Sequence, residues 1–268
     1  MGYHLNNNYS IKQMPLRVAT WNLDHASNSK RPVDLQVKTI LGLNPDILVL
    51  TETCNEVDAA LLQHGYRSYA ALPNQYGKFF SVIYLGQHIT WIETLPVSQE
   101  TCSVCIRVST HIGEVIVYGT IITYHGDKGA DLNNPSPAWY EHYKSIGKHG
   151  DDWSKLLGPV PLIVAGDFNQ TRDGSQGTYG TARGRELLSN ELTRNNLVCL
   201  TTENFSANKK LMVDPQKGWA RSNIDHICMT NNAFTVLEVG AWDHFVSEAG
   251  VVTYLSDHNG VYVDIDNH

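Results

Sequence analysis

Carboxylate, amide and imidazole side chains recur along this chain where apolar runs stop. Asn22 follows Val18-Ala-Thr-Trp21, Glu52 follows Ile47-Leu-Val-Leu-Thr51, and His125 follows the run from Val115 to Tyr124. Asp167 and Asn169 follow Leu162-Ile-Val-Ala-Gly166, Asp225 and His226 open the run Ile224 to Thr230, and Asp257 and His258 stand just before Gly260 to Ile265. Sites in sheet proteins favour strand ends, where a rigid scaffold presents adaptable loops. If these ends converge, the pocket holds four carboxylates, two amides and at least one histidine. Oxygen donors of this kind suit Mg²⁺ or Mn²⁺, which keep several waters and leave room for a phosphate. They suit zinc poorly, because no H-E-x-x-H or paired Cys/His spacing is present. No G-x-x-x-x-G-K-[S/T], G-x-G-x-x-G or G-x-S-x-G occurs, so nucleotide-binding loops and a serine acyl-transfer elbow are not indicated.

The elements that must carry these residues follow from periodicity. Arg17 to Asn22 alternates as a strand entering a loop. Val33 to Leu43 has helical spacing and is stopped by Asn44-Pro45, after which Ile47 to Leu50 reads as a strand buried on both faces. The middle predicts strands over Tyr66 to Ala71, Phe79 to Leu85, Ser103 to Ser109 and Val115 to Thr123, then a helix from about Ala138 to Leu157 between prolines. Leu162 to Ala165 is another buried strand, Arg185 to Asn195 a helix, and Ile224 to Thr230, Phe234 to Val239 and Gly260 to Ile265 closing strands. Asp167 to Gly184, polar and glycine-rich, is a long loop of the kind that often carries function. This inventory fits an α/β (α+β) arrangement of two sheets packed face to face with helices outside.

The 268 residues, 42% hydrophobic and 18% charged, are enough for one sizeable core, and no linker or repeat divides them. The expected layout is a polar tail over residues 1–16 and one domain over 17–268. The tail lacks the apolar stretch of a signal peptide, and no segment approaches the length of a membrane span. The five cysteines are odd in number and scattered, so a disulfide framework is not expected, and Cys102-x-x-Cys105 reads as ordinary small core residues. A cytoplasmic monomer without membrane contact is the expectation. A formal charge of −7 argues against a protein that coats duplex DNA. It does not exclude a nuclease, since a metal-binding site is acidic and the metal supplies the positive charge.

Five blocks, Thr20-Trp-Asn22, Leu50-Thr-Glu52, Gly166-Asp-Phe-Asn169, Asn223-Ile-Asp-His226 and Ser256-Asp-His258, resemble in order the signatures of the endonuclease/exonuclease/phosphatase superfamily. They span nearly the whole chain, and GDFN followed by SDH about ninety residues later is the specific part. The resemblance implies a four-layer α/β sandwich of two packed mixed β-sheets flanked by helices. It also implies a divalent-metal-dependent phosphoester hydrolase using Mg²⁺, with Mn²⁺ as substitute. In that reading Glu52 is the principal metal ligand with Asn22 and Asp257 beside it, and Asp167 orients or deprotonates the attacking water. Asn169 supports the phosphate oxygen that gains charge, and His258 holds the scissile phosphate with its ring fixed by Asp257. Asp225 is a further carboxylate supporting a metal or a histidine. At Ile122-Thr-Tyr-His125 either Tyr124 or His125 fills the family position. Continued strand alternation favours His125 as the second catalytic histidine and points Tyr124 the other way.

Other residues have blander readings. Trp21 packs in the core, His226 points away from Asp225, and His142 and His149 are surface or half-buried helix residues. Arg172, Arg183 and Arg185 are either a solvated loop or phosphate contacts beside the metal, and Arg221 lies four residues before Asp225. With Arg194, Lys209, Lys210 and Lys217 they make the stretch from residue 172 to 221 more basic than its surroundings, which favours DNA or RNA phosphodiesters as substrate. A small phosphorylated metabolite or lipid head group is the alternative, and a non-catalytic interaction module is the remote one.

Overall fold

The structure is a computed structural model that describes residues 14–25, 31–74, 77–129, 133, 135–173 and 179–268. Most of the expected N-terminal tail and residues 174–178 of the expected long loop lie outside the described residues. Along the chain come β1 (Leu16–Asn22), α1 (Val33–Leu43), β2 (Ile47–Thr51), α2 (Asn55–Gln63), β3 (Arg67–Ala70), β4 (Ser81–Leu85), β5 (Thr90–Leu95), β6 (Ser103–Thr110) and β7 (Gly113–Ile121). They are followed by α3 (Tyr140–Leu156), β8 (Leu162–Asp167), α4 (Ala182–Arg194), β9 (Leu197–Cys199), β10 (Asp225–Thr230), β11 (Thr235–Trp242), β12 (Phe245–Glu248), β13 (Val251–Tyr254) and β14 (Gly260–Asp266).

These strands form two six-stranded mixed sheets, ordered β11-β14-β1-β2-β4-β3 and β5-β6-β7-β8-β10-β9, with β12-β13 as a separate ribbon. Alternation along each strand sorts side chains into layers. Val18, Ile47, Val49, Ile83, Val117, Ile163, Ala165 and Val263 fill the space between the sheets. Their neighbours Ala19, Trp21, Leu48, Leu50 and Val82 face the other way and meet Val33, Val37 and Ile40 of α1 and Val57 and Leu61 of α2. On the second sheet Ile116, Tyr118, Leu162 and Val164 face Ile146 and Trp153 of α3 and Leu188 and Leu192 of α4. The result is a four-layer α/β sandwich. Each of the Val, Leu and Ile side chains among them contributes roughly 1.5–3 kcal/mol through burial. No helix among the described residues is long and apolar enough to cross a membrane.

Two parallel pairings set up the site. β1 lies parallel to β2 with Asn22 beside Thr51, and β7 lies parallel to β8 with Ile121 beside Asp167. Antiparallel β10 enters on the other side of β8 and puts Asp225 directly opposite Asp167. The β7–β8 contact requires a glycine. Gly166 has φ +145, and a Cβ there would stand 1.8 Å from the carbonyl oxygen of Thr120, so any side chain would part the strands one residue before Asp167.

Candidate active site

Asp167 ends β8 with its side chain buried. Its Oδ1 accepts the backbone N–H of Asn169 at 2.8 Å, and its Oδ2 accepts the side-chain amides of Asn169 at 3.0 Å and Asn22 at 3.1 Å. Asn169 also donates to the carbonyl of Ile122 at 2.9 Å, and its backbone sits in the left-handed region at φ +49. Asn22 is anchored in turn, its Oδ1 accepting the N–H of Asp24 at 2.8 Å. The amide from β1 therefore reaches across to the carboxylate from β8, a polar link that ties the sheets together at this end.

A second link is His258. Its Nδ1 donates to Asp225 Oδ2 at 2.6 Å, with both groups buried. The loop holding it is fastened to β1: Trp21 Nε1 donates to the His258 carbonyl at 2.7 Å, and Ser256 Oγ donates to the Asn22 carbonyl at 2.6 Å while accepting the His258 N–H at 3.0 Å. With Nδ1 occupied, Nε2 is the nitrogen left to face the cleft. Asp257 stands 3.7 Å from Nε2, has a side chain 42% exposed, and lies 3.5 Å from Arg221. This corrects the expected role of Asp257: Asp225 fixes the imidazole ring, and Asp257 belongs to the rim.

Burial and charge explain how these groups titrate. Burial raises the Asp167 carboxyl and Asp225 repels its anion, while His258 pulls it back; the outcome is about 7. Burial alone would lower His258, but the carboxylates of Asp225 and Asp167 outweigh it and hold the ring up at about 10. Across neutral pH the cluster thus carries a cationic imidazole beside a half-ionised carboxyl, a pairing suited to proton transfer.

Glu52 follows β2 with φ +51, its N–H donating to the Phe80 carbonyl at 3.1 Å. Its Oε2 meets His25 Nε2 at 3.0 Å. Glu52, Asp167, Asn169, Asp257, His258, Arg221 and Tyr124 all line one cleft of about 500 Å³, together with Asp24, His25, Phe80, Cys102, Asp127 and Tyr179. Five carboxylates in that lining face one arginine and two histidines. A phosphate would be repelled from such a cleft unless a cation entered with it.

A divalent cation fits this cleft. The donors are hard oxygens, and Asp225 Oδ1 is buried without a partner among the described residues. Asp167, Asp225 and His258 bring one ligand atom each within 4.8 Å of the others. Because His258 Nδ1 is committed to Asp225, that trio reads as an acid–base cluster, and Glu52, on the other sheet, is the better carboxylate for an ion.

The expected second histidine is placed differently. Strand β7 ends at Ile121, so alternation stops before Tyr124 and His125, which enters a turn. Tyr124, 53% exposed, lines the cleft. His125 does not. It lies against Trp139, ring centroids 5.4 Å apart, with Nδ1 at 2.8 Å from the Tyr179 hydroxyl. Three of the four arginines weighed as phosphate contacts are also elsewhere. Arg172 donates to Ser189 Oγ at 2.9 Å on α4, Arg183 lies over the Tyr143 ring at 4.8 Å, and Arg185 is on α4 outside the cleft lining; Arg221 alone of the four lines it.

His142 and His149 are buried, contrary to expectation. His142 bonds the Thr123 carbonyl at 2.5 Å, and His149 the Tyr118 hydroxyl at 2.9 Å. His226 points away from Asp225, with Nε2 donating to the Gln170 carbonyl at 2.8 Å. Asp24, His25, Phe80, Asp127 and Tyr179 were not anticipated. The first two could have been found by following the β1 end three residues further; a single phenylalanine and a loop tyrosine give no signal in sequence.

No curated protein sequence matches the chain. Solved structures do. An endonuclease/exonuclease/phosphatase family protein from Bacteroides thetaiotaomicron is 15% identical with TM-score 0.66, covering 94% of this chain and 98% of that one. D. rerio TDP2 complexed with a single-strand DNA product is 14% identical with TM-score 0.62, covering 94% and 99%. The endonuclease domain of TRAS1, a telomere-specific non-LTR retrotransposon, is 17% identical with TM-score 0.59, covering 94% and 98%. At these identities the likeness is one of fold. The sequence profile of the Endonuclease/Exonuclease/phosphatase family matches residues 19–258, and the chain therefore belongs to that family, whose enzymes are divalent-metal-dependent hydrolases of phosphoester bonds.

Proposed function

We propose that this chain hydrolyses phosphodiester bonds of nucleic acid with Mg²⁺, Mn²⁺ serving as substitute, and that residues 17–268 act as one catalytic unit and as a monomer. The observation that carries the reading is that Asp167 and His258, the latter held by the buried Asp225, line one cleft with Glu52. Glu52 would hold the ion, with Asn22 and Asp257 close by; when bound, the ion would offset the charge of the cleft and of the phosphate. Asp167, ionised above about 7, takes a proton from the attacking water. The water oxygen forms its bond to phosphorus as the ester bond on the far side breaks. His258, held protonated by Asp225, donates from Nε2 to a non-bridging phosphate oxygen, and the Asn169 amide supports the charge that develops there. Tyr124 takes the place expected of His125, its hydroxyl donating a hydrogen bond to the departing oxygen. Exposed Tyr124 and the half-buried Phe80 give bases a surface to stack on. The nuclease neighbours, one of them solved with a DNA product, support the substrate class.

The acidic lining favours a second reading, a small phosphorylated substrate that carries less charge than a strand. Hydrolysis of plasmid DNA, a single-stranded oligonucleotide, bis-p-nitrophenyl phosphate and inositol phosphates, each with Mg²⁺, Mn²⁺ or EDTA, separates them, with Glu52→Ala as control. Metal-dependent DNA cleavage lost in the variant is the expected result. Turnover confined to the small esters would give the second reading, and no turnover in any arm would leave the chain a binding module.

A further inference from the structure

Away from the cleft, the helix-facing side of the second sheet holds two sulfur atoms that hydrolysis does not use. Strand β9, three residues long, is the edge of that sheet, and its antiparallel pairing with β10 sets Cys199 directly opposite Cys228. Both carry free thiols and both face the layer of α3 and α4. On one side of this pair the N–H of Leu200 donates to the Ile227 carbonyl at 2.9 Å, and on the other the N–H of Asn231 donates to the Asn196 carbonyl at 2.8 Å. Bonded and non-bonded pairs alternate along an antiparallel ladder, which makes Cys199 and Cys228 a non-bonded pair. At such a position the α-carbons stand about 4.5 Å apart and the side chains are closest. A disulfide spans about 4.4–6.8 Å between α-carbons, so the bond closes here without parting the strands.

Two residues further along each strand the same face carries Thr201 and His226. Thr201 Oγ1 accepts the Ile227 N–H at 3.1 Å and meets His226 Nδ1 at 3.0 Å, and it lies 3.9 Å from Cys199 Sγ. These groups set the two thiols apart from the rest. Hydrogen bonding to Cys228 draws the Cys199 thiol well below its ordinary value; burial opposes this and the His226 ring adds to it. Burial pushes Cys54, Cys102, Cys105 and Cys228 the other way. Cys199 also keeps 9% of its surface open at the sheet edge, enough to admit a very small oxidant, whereas Cys228 behind it has none. A thiolate at the rim with a second thiol behind it is the arrangement of an oxidisable cysteine and its resolving partner.

We propose that Cys199 and Cys228 are a peroxide-sensitive thiol pair that closes a reversible disulfide across β9 and β10. The Cys199 thiolate attacks one oxygen of hydrogen peroxide. An S–O bond forms, the O–O bond breaks, and the departing hydroxide takes up the proton that Cys199 released and leaves as water. The Cys228 sulfur then attacks the sulfenic sulfur. The S–S bond forms, the S–O bond breaks, and the second oxygen leaves as water with the Cys228 proton. Two thiols lose two electrons in all, one peroxide is reduced to two waters, and an external dithiol reverses the change by exchange. Neither sulfur lines the catalytic cleft, so this chemistry is independent of the hydrolysis proposed above.

The test is to expose the folded, full-length protein to hydrogen peroxide, quench it, unfold it, alkylate the remaining thiols with N-ethylmaleimide and map the peptides by mass spectrometry. A peptide pair joining Cys199 to Cys228 should appear, and the two thiols should be lost at least about tenfold faster than that of Cys105. Dithiothreitol added before alkylation should return both to the alkylated form. In Cys228→Ser the reaction should stop at the sulfenic acid, which dimedone labels at Cys199. In Cys199→Ser the Cys228 thiol should stay alkylatable. Protein unfolded in guanidinium before the peroxide is added should lose the preference for this pair. Cys199 and Cys228 still fully alkylated after Cys54 or Cys102 has been oxidised would overturn the proposal in the wild type, whatever the variants do. So would a disulfide that joins Cys199 to any other cysteine, or oxidation that dithiothreitol does not reverse.

Discussion

Among single residues, Asp225 exerts the most leverage for the least exposure. It orients His258, keeps it protonated and repels the charge on Asp167. Asp225→Asn preserves shape and removes the charge. His258 then loses the attraction that lifts it to about 10, and Asp167 loses the repulsion that helps lift it to about 7. If Asp167 must be ionised and His258 protonated, kcat/KM in the wild type rises through about 7 and falls through about 10. In the variant both limbs move to lower pH, and turnover drops by about 10²–10⁴. A pH–rate profile with Mg²⁺ checks this; an alkaline limb that stays in place would mean the protonated ring of His258 is not what holds the phosphate.

Among elements, the β12–β13 ribbon is held by a buried polar chain that ends beside the site. Tyr254 donates to Asp214 Oδ1 at 2.6 Å, and His244 lies between Asp214 Oδ2 at 3.2 Å and Asn259 Oδ1 at 2.9 Å. The Asn259 amide donates to the carbonyl of Arg221 at 2.8 Å, so one chain fixes the residue after His258 and the arginine of the cleft. Burial would raise Asp214, but the Tyr254 hydroxyl, the N–H groups of Gln216 and Lys217, and His244 bring it to about 2. A lowered folded-state pKa stabilises at pH above the ordinary carboxyl value of 3.8, and that contribution is lost as pH falls through about 2. Asp214→Ala should lower stability by about 2–3 kcal/mol by leaving the Nε2 of His244 and the Tyr254 hydroxyl without their acceptor. Melting curves from pH 7 down to 2 should show the variant starting lower and losing less on acidification.

This is also the scale at which the sequence stops being informative. Elements with a buried face, such as β1, α1, β2 and β8, were read from periodicity because burial is what periodicity records. The strand β5 is nearly all exposed, α2 buries only Val57 and Leu61, and the short β12 and β13 show no clear alternation, so none was anticipated. The site follows the same logic. Its strand-end carboxylates and amides were legible one by one. The bond between Asp225 and His258, 33 residues apart and on different sheets, was not, and the adjacency of Asp257 to His258 pointed to the wrong partner. His125 was misplaced because alternation was extended past the last residue of β7.

For the whole molecule, the decisive fact is that neither sheet owns the site. Asn22, Glu52 and His258 belong to the first, and Asp167, Asn169 and Asp225 to the second. An ion bound between them acts on the folded state alone and therefore stabilises it. At a hundredfold excess over its Kd, Mg²⁺ should add about 2.7 kcal/mol, or about 5–10 °C in Tm for a chain of this size. Glu52→Gln should abolish most of that increment while leaving the metal-free melting point close to wild type. Calorimetry with Mg²⁺, Mn²⁺ and EDTA decides it, and an equal increment in both proteins would place the ion elsewhere.

The left-handed backbone at Glu52 and Asn169 carries a consequence for anyone who breeds this protein. Asparagine tolerates that conformation, but glutamate there is strained by about 1–2 kcal/mol, and glycine would relieve it. A laboratory selection that rewarded only survival on heating would thus be drawn toward glycine at 52. Its winners would be sturdier and inert, because the change that relaxes the chain deletes the carboxylate that the chain was bent to present.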